Sequence, residues 1–247
     1  MEEKMNETIK VTNLKKSYGN TLVVNDLNIS VKKGEVYGLL GANGAGKSTT
    51  IECILGTRKP DNGTISILGM NPIYDRKNLF ENVSVQFQEA TYQDKILVYE
   101  LCEETSCLYK TQKDYTLLLE QFGLSDKLKA PVSELSGGQR QKLFIILALI
   151  PNPKVVFLDE LTTGLDTMAR REIWTSLLEL KKEGLTIFLT SHFMDEVETL
   201  CDRIMILKNG ISVFEGTVNE AIARSPFRNF EDTYIWYAEE KNNNENI

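Results

Sequence analysis

The sequence predicts an α/β fold: a largely parallel core sheet, an antiparallel β part ahead of it and a helical part inserted into it. Three observations lead there. Four short apolar runs, VYGLLG (36–41), VSVQF (83–87), KVVFL (154–158) and LTIFLT (185–190), read as strands buried on both faces, as in a parallel sheet. Amphipathic stretches lie between them. In MARREIWTSLLELKK, Ala169, Ile173 and Leu177 recur at helical spacing, and Trp174 and Leu178 widen the stripe. Near the start, IKVTNLKKSYG and LVVNDLNISVKKGE alternate in polarity and are divided by turn residues, as antiparallel strands are.

Two more turns are expected from composition, a hairpin-like one at PDNG (60–63) and another at KNG (208–210). Residues of about 95–150 carry almost no strand signal and read as a mostly helical insertion. The end, EEKNNNENI, is polar enough to be expected as a disordered tail over 239–247.

Composition removes several function classes. The chain has 247 residues and a formal net charge of −7, which argues against sequence-independent binding to a nucleic-acid backbone. Its longest apolar run, LFIILALI (143–150), falls short of the roughly 18 residues that cross a bilayer. The opening MEEKMNETIK is acidic and polar and does not read as a signal peptide. Cys53, Cys102, Cys107 and Cys201 lack metal-ligand spacing, and scattered reduced cysteines fit a cytoplasmic protein.

The chemistry begins at GANGAGKS (41–48), which matches G-x-x-x-x-G-K-[ST] between an apolar strand and the helical STTIECIL. Gly41, Gly44 and Gly46 allow a tight turn that points successive N–H groups into one concavity, and the next helix adds its positive end. Lys47, expected at the exposed mouth of the loop, supplies a compact charge for the outer phosphates, and the Ser48 hydroxyl can ligate Mg²⁺. The whole segment Gly41, Ala42, Asn43, Gly44, Ala45, Gly46, Lys47, Ser48 and Thr49 is therefore the expected nucleotide-binding loop of a P-loop NTPase. In VVFLDE (155–160) a buried strand ends in two carboxylates. Asp159 is placed to hold Mg²⁺ through its water shell, and Glu160 to polarise the attacking water as general base.

LSGGQ (135–139) places Ser136, Gly137, Gly138 and Gln139 at a helix start, a second anion-binding terminus. One phosphate loop and a second cradle make sense in a head-to-tail dimer, each nucleotide held by the loop of one copy and the LSGGQ of the other. With these motifs together the chain resembles the nucleotide-binding subunits of ATP-binding cassette (ABC) transporters, from about residue 8 to 238. Residues 1–238 are then read as one ABC ATPase domain.

The resemblance implies further roles. Tyr18 in KKSYGN matches the aromatic that stacks on adenine, and Asp166 in TTGLD the aspartate that bridges the two subunits. Gln88 in VQFQEA matches the glutamine that touches Mg²⁺ and water and relays to the membrane subunit, with Gln86 on the same face as the rival assignment. His192, the only histidine, matches the switch residue that reaches the γ-phosphate across from Glu160; neighbouring strands are expected to deliver Asp159, Glu160 and His192 to one sheet edge. The implied cofactors are ATP and Mg²⁺. The implied partners are a transmembrane permease subunit and a second ATPase subunit, the same chain or a paralogue, at the inner face of the membrane. No nucleic acid is expected. A soluble ABC-type protein of DNA repair or translation is the rival reading; it lacks support from heptads or repeats.

Three departures stand out. Leu161 occupies the place of the family's usual proline after the glutamate, and because proline carries no side-chain chemistry, hydrolysis is expected to survive with a less rigid loop. QRQK reverses the common order of basic residues, leaving the contacts of Arg140 and Lys142 open. The segment YQDKILVYE and the acidic helix after it resemble subunits of drug-, antibiotic- and lipid-exporting systems.

Overall fold

The computed structural model describes residues 7–86, 92–93 and 95–239. They fall into two compact units, one reaching to Leu79 and resuming at Phe188, the other Phe80–Ile187.

In the first unit, β1 (Glu7–Tyr18), β2 (Thr21–Lys32) and β4 (Asn62–Ile67) form an antiparallel sheet in the order β2-β1-β4. Ile9 faces Val31 on one side and Ile67 on the other. The inward face of β1 runs Ile9, Val11, Leu14 and that of β2 runs Val24, Leu27, Ile29, Val31, a step of three in each strand. The cause is a bulge: the register shifts between Val11 and Leu14, where Asn13 (φ 50°) and Asp26 (φ 60°) take left-handed backbone.

The same unit holds β3 (Val36–Gly41), buried along its whole length and parallel to β8 (Arg203–Lys208), with Tyr37 opposite Arg203 and Gly41 opposite Leu207. An Asn209-Gly210 turn folds β9 (Ile211–Gly216) back antiparallel on β8. The helices of this unit are α1 (Lys47–Ile54), the single turn α2 (Arg76–Leu79), α7 (Met194–Leu200), α8 (Val218–Ala223) and α9 (Phe230–Glu239). Leu40, Val197, Ile204, Ile206, Phe214, Ala221, Phe230 and Tyr237 pack into one core cluster. Burying each such side chain contributes about 1.5–3 kcal/mol.

In the second unit, β5 (Val83–Gln86) pairs in parallel with β6 (Val155–Asp159), Gln86 opposite Leu158. The helices are α3 (Val98–Cys107), α4 (Tyr115–Gln121), α5 (Gly137–Leu149) and α6 (Thr167–Lys182), so most of the stretch expected to be helical, 95–150, is so. α6 buries Ile173, Trp174 and Leu177 of the stripe read from its periodicity and adds Leu180, while Ala169 and Leu178 of that stripe are half-buried. Strand β7 (Thr186–Thr190), fully buried, carries the chain from this unit back to the first.

The turn at KNG is the hairpin the sequence predicts. PDNG is not: Asn62 and Gly63 already belong to β4, whose partner is the distant β1, and the stretch merely leads out of α1. Asp61 is held there by the Lys16 ammonium (2.7 Å) and the Ser17 amide (2.6 Å). The helices α8 and α9 had no counterpart in the sequence reading. Helix α9 runs through Glu239, one residue into the stretch expected as tail; 240–247 lie outside the described residues. No helix among the described residues is long and apolar enough to cross a membrane.

Candidate nucleotide-binding site

The first unit carries the phosphate loop. β3 ends at Gly41, and the chain turns through Ala42, Asn43, Gly44 and Ala45 into α1, whose N-cap is Gly46. Gly46 needs to be glycine: its φ is 103°, and a Cβ there would lie 2.7 Å from the Val23 carbonyl of β2. Gly44, at φ 81°, faces open space, with no described atom within 4 Å of where its Cβ would stand. The loop is braced from behind. The Gly210 amide donates to the Ala45 carbonyl (3.0 Å), the Asn25 amide to Gly210 (2.8 Å), and the Thr50 hydroxyl to the Gly46 carbonyl (2.8 Å). Ala42, Asn43, Gly44 and Ser48 are exposed, and Thr49 is half-buried.

Lys47 departs from expectation. It is buried, not at an exposed mouth, and its ammonium donates to the carbonyls of Gly41 (2.7 Å) and Ala42 (3.3 Å). The cause is geometric: Cβ atoms on a helix lean toward its N-terminus, so the first side chain of α1 folds back along the loop.

Tyr18 closes β1 as an exposed ring at its end, with the Arg58 guanidinium over it at 5.1 Å and the Lys16 ammonium at 5.8 Å. His192 is exposed two residues beyond β7. The buried Ser191 hydroxyl accepts the Phe193 amide (2.9 Å), which fixes the turn that presents the imidazole before α7 begins.

The second unit carries the acids and the second cradle. Asp159 ends β6 and Glu160 follows it, both half-buried. Glu160 has left-handed backbone (φ 49°), and its carbonyl accepts the Thr163 amide (3.2 Å), so residues 160–163 form a turn with Leu161 and Thr162 fully buried inside it. Ser136 caps α5: its hydroxyl accepts the Gln139 amide (3.2 Å), while the Gln139 side chain accepts the Ser136 amide (3.0 Å). Asp166 caps α6, one carboxylate oxygen accepting the amides of Met168 (2.9 Å) and Ala169 (3.0 Å). Those backbone bonds, the Ala169 amide first, hold its carboxyl below the ordinary aspartate range. The two caps face one open cavity of about 600 Å³, lined by Ser136, Gly137, Gly138 and Gln139 at the start of α5 and by Asp166 and Ala169 at the start of α6, with Gly164 of the preceding turn.

The residues fit the groups the chemistry calls for. An open left-handed Gly44 ahead of a helix N-terminus is a concavity of amides suited to phosphate oxygens. Among the described residues no three of His, Cys, Asp and Glu cluster as a metal cage. The exposed Ser48 hydroxyl and the half-buried Asp159 carboxylate are oxygen donors of the kind Mg²⁺ takes alongside waters and phosphate oxygens. Gln88 lies outside the described residues; Gln86, its rival, is buried on β5.

Residues 24–163 match the family described as ABC transporter. The chain is 41% identical over 224 residues to the Nod factor export ATP-binding protein I of Burkholderia orbicola (strain AU 1054), covering 87% of this chain and 72% of that one. It is 44% identical over 211 residues to the protein of the same name from Mesorhizobium japonicum (strain LMG 29417 / CECT 9101 / MAFF 303099), 81% of this chain and 61% of that one. Among solved structures, an ATP-binding subunit of an ABC transporter superposes with a TM-score of 0.84 at 26% identity, covering 93% and 99% of the two chains. The ADP conformation of an ABC transporter cassette gives 0.79 at 27%, covering 93% and 98%. The chain belongs to the ABC transporter ATP-binding family.

This ABC ATPase resolves what the sequence left open after its signature. Arg140 donates to the Leu135 carbonyl (3.2 Å), anchoring the loop before α5, and Lys142 pairs with Glu172 of α6 (2.5 Å). The basic residues therefore tie the signature helix to its surroundings within the unit. Sequence reasoning missed the Gly210 brace, the Ser191 turn and Arg58. Tertiary contact alone brings Gly210 to the loop and Arg58 to Tyr18, whereas the Ser191 turn is a local bond to the Phe193 amide.

Proposed function

We propose that this ABC ATPase is the energising subunit of an exporter: it dimerises around two ATP, with its own copy or a paralogue, and drives substrate through a separate transmembrane permease at the inner face of the membrane. The export reading rests on the relatives' name, and the chain spans 61–72% of the two relatives' length. The observation that carries the dimer is the presence of two separate anion cradles, the open Gly44 loop before α1 and the Ser136-capped start of α5, in one chain.

In this reading Tyr18 stacks on the adenine, and the Gly41–Thr49 loop binds the phosphates. Lys47 leaves the Gly41 and Ala42 carbonyls to meet the outer phosphates. Glu160 takes the proton of the attacking water, whose oxygen bonds to the terminal phosphorus as the bond to the bridging oxygen breaks and ADP leaves; His192 orients that phosphate. Ser136, Gly137, Gly138 and Gln139 close on the nucleotide of the opposite copy and Asp166 bridges the copies. Mg²⁺, held by Ser48, Asp159 and Gln88, would neutralise phosphate charge. Gln88 relays the nucleotide state to the permease.

Glu160→Gln tests this. The variant is expected to keep ATP binding, lose hydrolysis by about 10²–10⁴-fold and accumulate as a dimer with Mg-ATP on gel filtration. A variant that binds Mg-ATP yet stays monomeric overturns the two-cradle reading.

A further inference from the structure

Beside Tyr18 lies a set of pinned charges that the phosphate chemistry does not use. Arg58 follows α1, and its Nε donates to the Glu52 carboxylate at 2.6 Å. The backbone seats the pair: the Arg58 amide donates to the Glu52 carbonyl (3.1 Å), and the Thr57 hydroxyl donates to that same carbonyl (3.1 Å). The guanidinium then lies 5.1 Å from the Tyr18 ring centroid, within the range in which a cation is attracted to an aromatic face. Lys16 flanks the ring at 5.8 Å and is itself pinned by Asp61 at 2.7 Å. The Glu52 bond raises the Arg58 pKa, and the Lys16 bond lowers that of Asp61. Tyr18 nonetheless keeps 41% of its surface exposed. A partly exposed aromatic ring held by neighbouring cations is a prepared stacking surface.

We propose that Arg58, locked by Glu52, is a positioning residue of the base subsite, fixing the Tyr18 ring as the platform on which the purine base of ATP is laid. The proposal rests on the reading of Tyr18 as the base-stacking residue. Arg58 acts through the ring and not on the phosphates. Lysine does not replace it, because an ammonium cannot present a planar face to the ring while holding the Glu52 bond side-on.

The test compares binding of Mg-ATP with binding of Mg-tripolyphosphate, which has the phosphates and no base, in the full chain. Tyr18→Ala is expected to weaken ATP binding about 5- to 100-fold, the range of base–aromatic stacking, and to leave tripolyphosphate unchanged. Arg58→Ala is expected to weaken ATP binding about 2- to 5-fold, as an exposed cation–ring contact would, again with tripolyphosphate unchanged. Added to Tyr18→Ala, the Arg58→Ala change is expected to cost nothing further, the signature of a residue acting through another. Arg58→Lys is expected to recover at most part of the loss. Equal losses for ATP and tripolyphosphate in Arg58→Ala, or a loss that persists in the Tyr18→Ala background, would overturn the proposal by placing the guanidinium on the nucleotide directly. Unchanged or tighter ATP binding in Arg58→Ala, with Tyr18→Ala weakened, overturns it while sparing Tyr18. Unchanged ATP binding in Tyr18→Ala removes the stacking reading and the proposal with it. Matching circular dichroism and melting curves establish that each variant is folded.

Discussion

Two glycines of the same loop are expected to respond oppositely to one added methyl group. At Gly46, alanine would hold φ near 103° with its Cβ 2.7 Å from the Val23 carbonyl, and that oxygen belongs to β2 backbone that cannot swing aside. Left-handed backbone costs an L-residue about 1–2 kcal/mol, and forcing a methyl into a packed contact about 1–3 kcal/mol more. Restricting the unfolded chain returns about 0.4–1 kcal/mol. Gly46→Ala should thus lose about 1–5 kcal/mol, which in a chain of this size lowers the Tm by about 2–20 °C. At Gly44 the strain term remains, but no described atom stands within 4 Å, so Gly44→Ala should lose about 1 kcal/mol or less. Its methyl would instead project into the concavity proposed for the phosphates. Thermal unfolding followed by circular dichroism, paired with ATP titration, separates the two. Gly46→Ala should melt early, while Gly44→Ala should melt nearly normally and bind ATP at least about 10-fold more weakly, the cost of one displaced charge-assisted hydrogen bond. Equal melting losses would refute the packing account, and wild-type ATP affinity in Gly44→Ala would refute the phosphate concavity.

Lys47→Ala should abolish productive ATP binding and also destabilise the protein by about 1–3 kcal/mol, because the buried Gly41 carbonyl loses its partner; an unchanged melting curve would mean that the buried ammonium contributes nothing to the loop. Burial pushes the Cys53 thiol to about 11 and Cys102 to about 12, whereas Cys107 is exposed. At pH 8 the two buried thiols stay protonated, so mass spectrometry after brief alkylation should find Cys107 modified well before either, and early labelling of Cys102 would contradict the packing of α3. Leu161→Pro should lower the Tm, since it removes a fully buried side chain and crowds the left-handed Glu160, and an unaltered Tm would argue against both.

Much of the fold was legible because it rests on local signals. Unbroken apolar runs gave β3, β5, β6 and β7, and the helical period gave α6. Legibility failed where a residue's partner is distant. PDNG has turn composition, yet Asn62 and Gly63 pair with β1 some 45 residues away, a contact no local window contains. The α8–α9 segment owes its place to the cluster around Phe214, Phe230 and Tyr237, again a tertiary matter. The site divides the same way. Residue types and spacing mark the phosphate-loop motif and the helix start at Ser136; the cap that Asp166 makes on α6 was not read from them. The inward fold of Lys47 and the Arg58 guanidinium beside Tyr18 depend on packing directions that spacing leaves open.

Glu160 shows how a departure from the family pattern is absorbed. Of the non-glycine residues with positive φ among the described residues, Asn13, Asp26, Asn152 and Asn209 are of the types that tolerate left-handed backbone; Leu68, Lys95 and Glu160 are not. Glu160 takes that conformation because β6 must stop abruptly: the next two residues, Leu161 and Thr162, are fully buried, and the Thr163 amide closes a turn on the Glu160 carbonyl. A proline at 161 would restrict the residue before it toward extended backbone and stiffen the turn through its ring. Leucine leaves Glu160 free to be left-handed and holds the turn by burial instead. Rigidity that a ring would provide through covalent geometry is here provided by the core. The placement of the proposed general base is therefore coupled to packing around Leu161, so a cavity opened there would disturb the carboxylate without touching it.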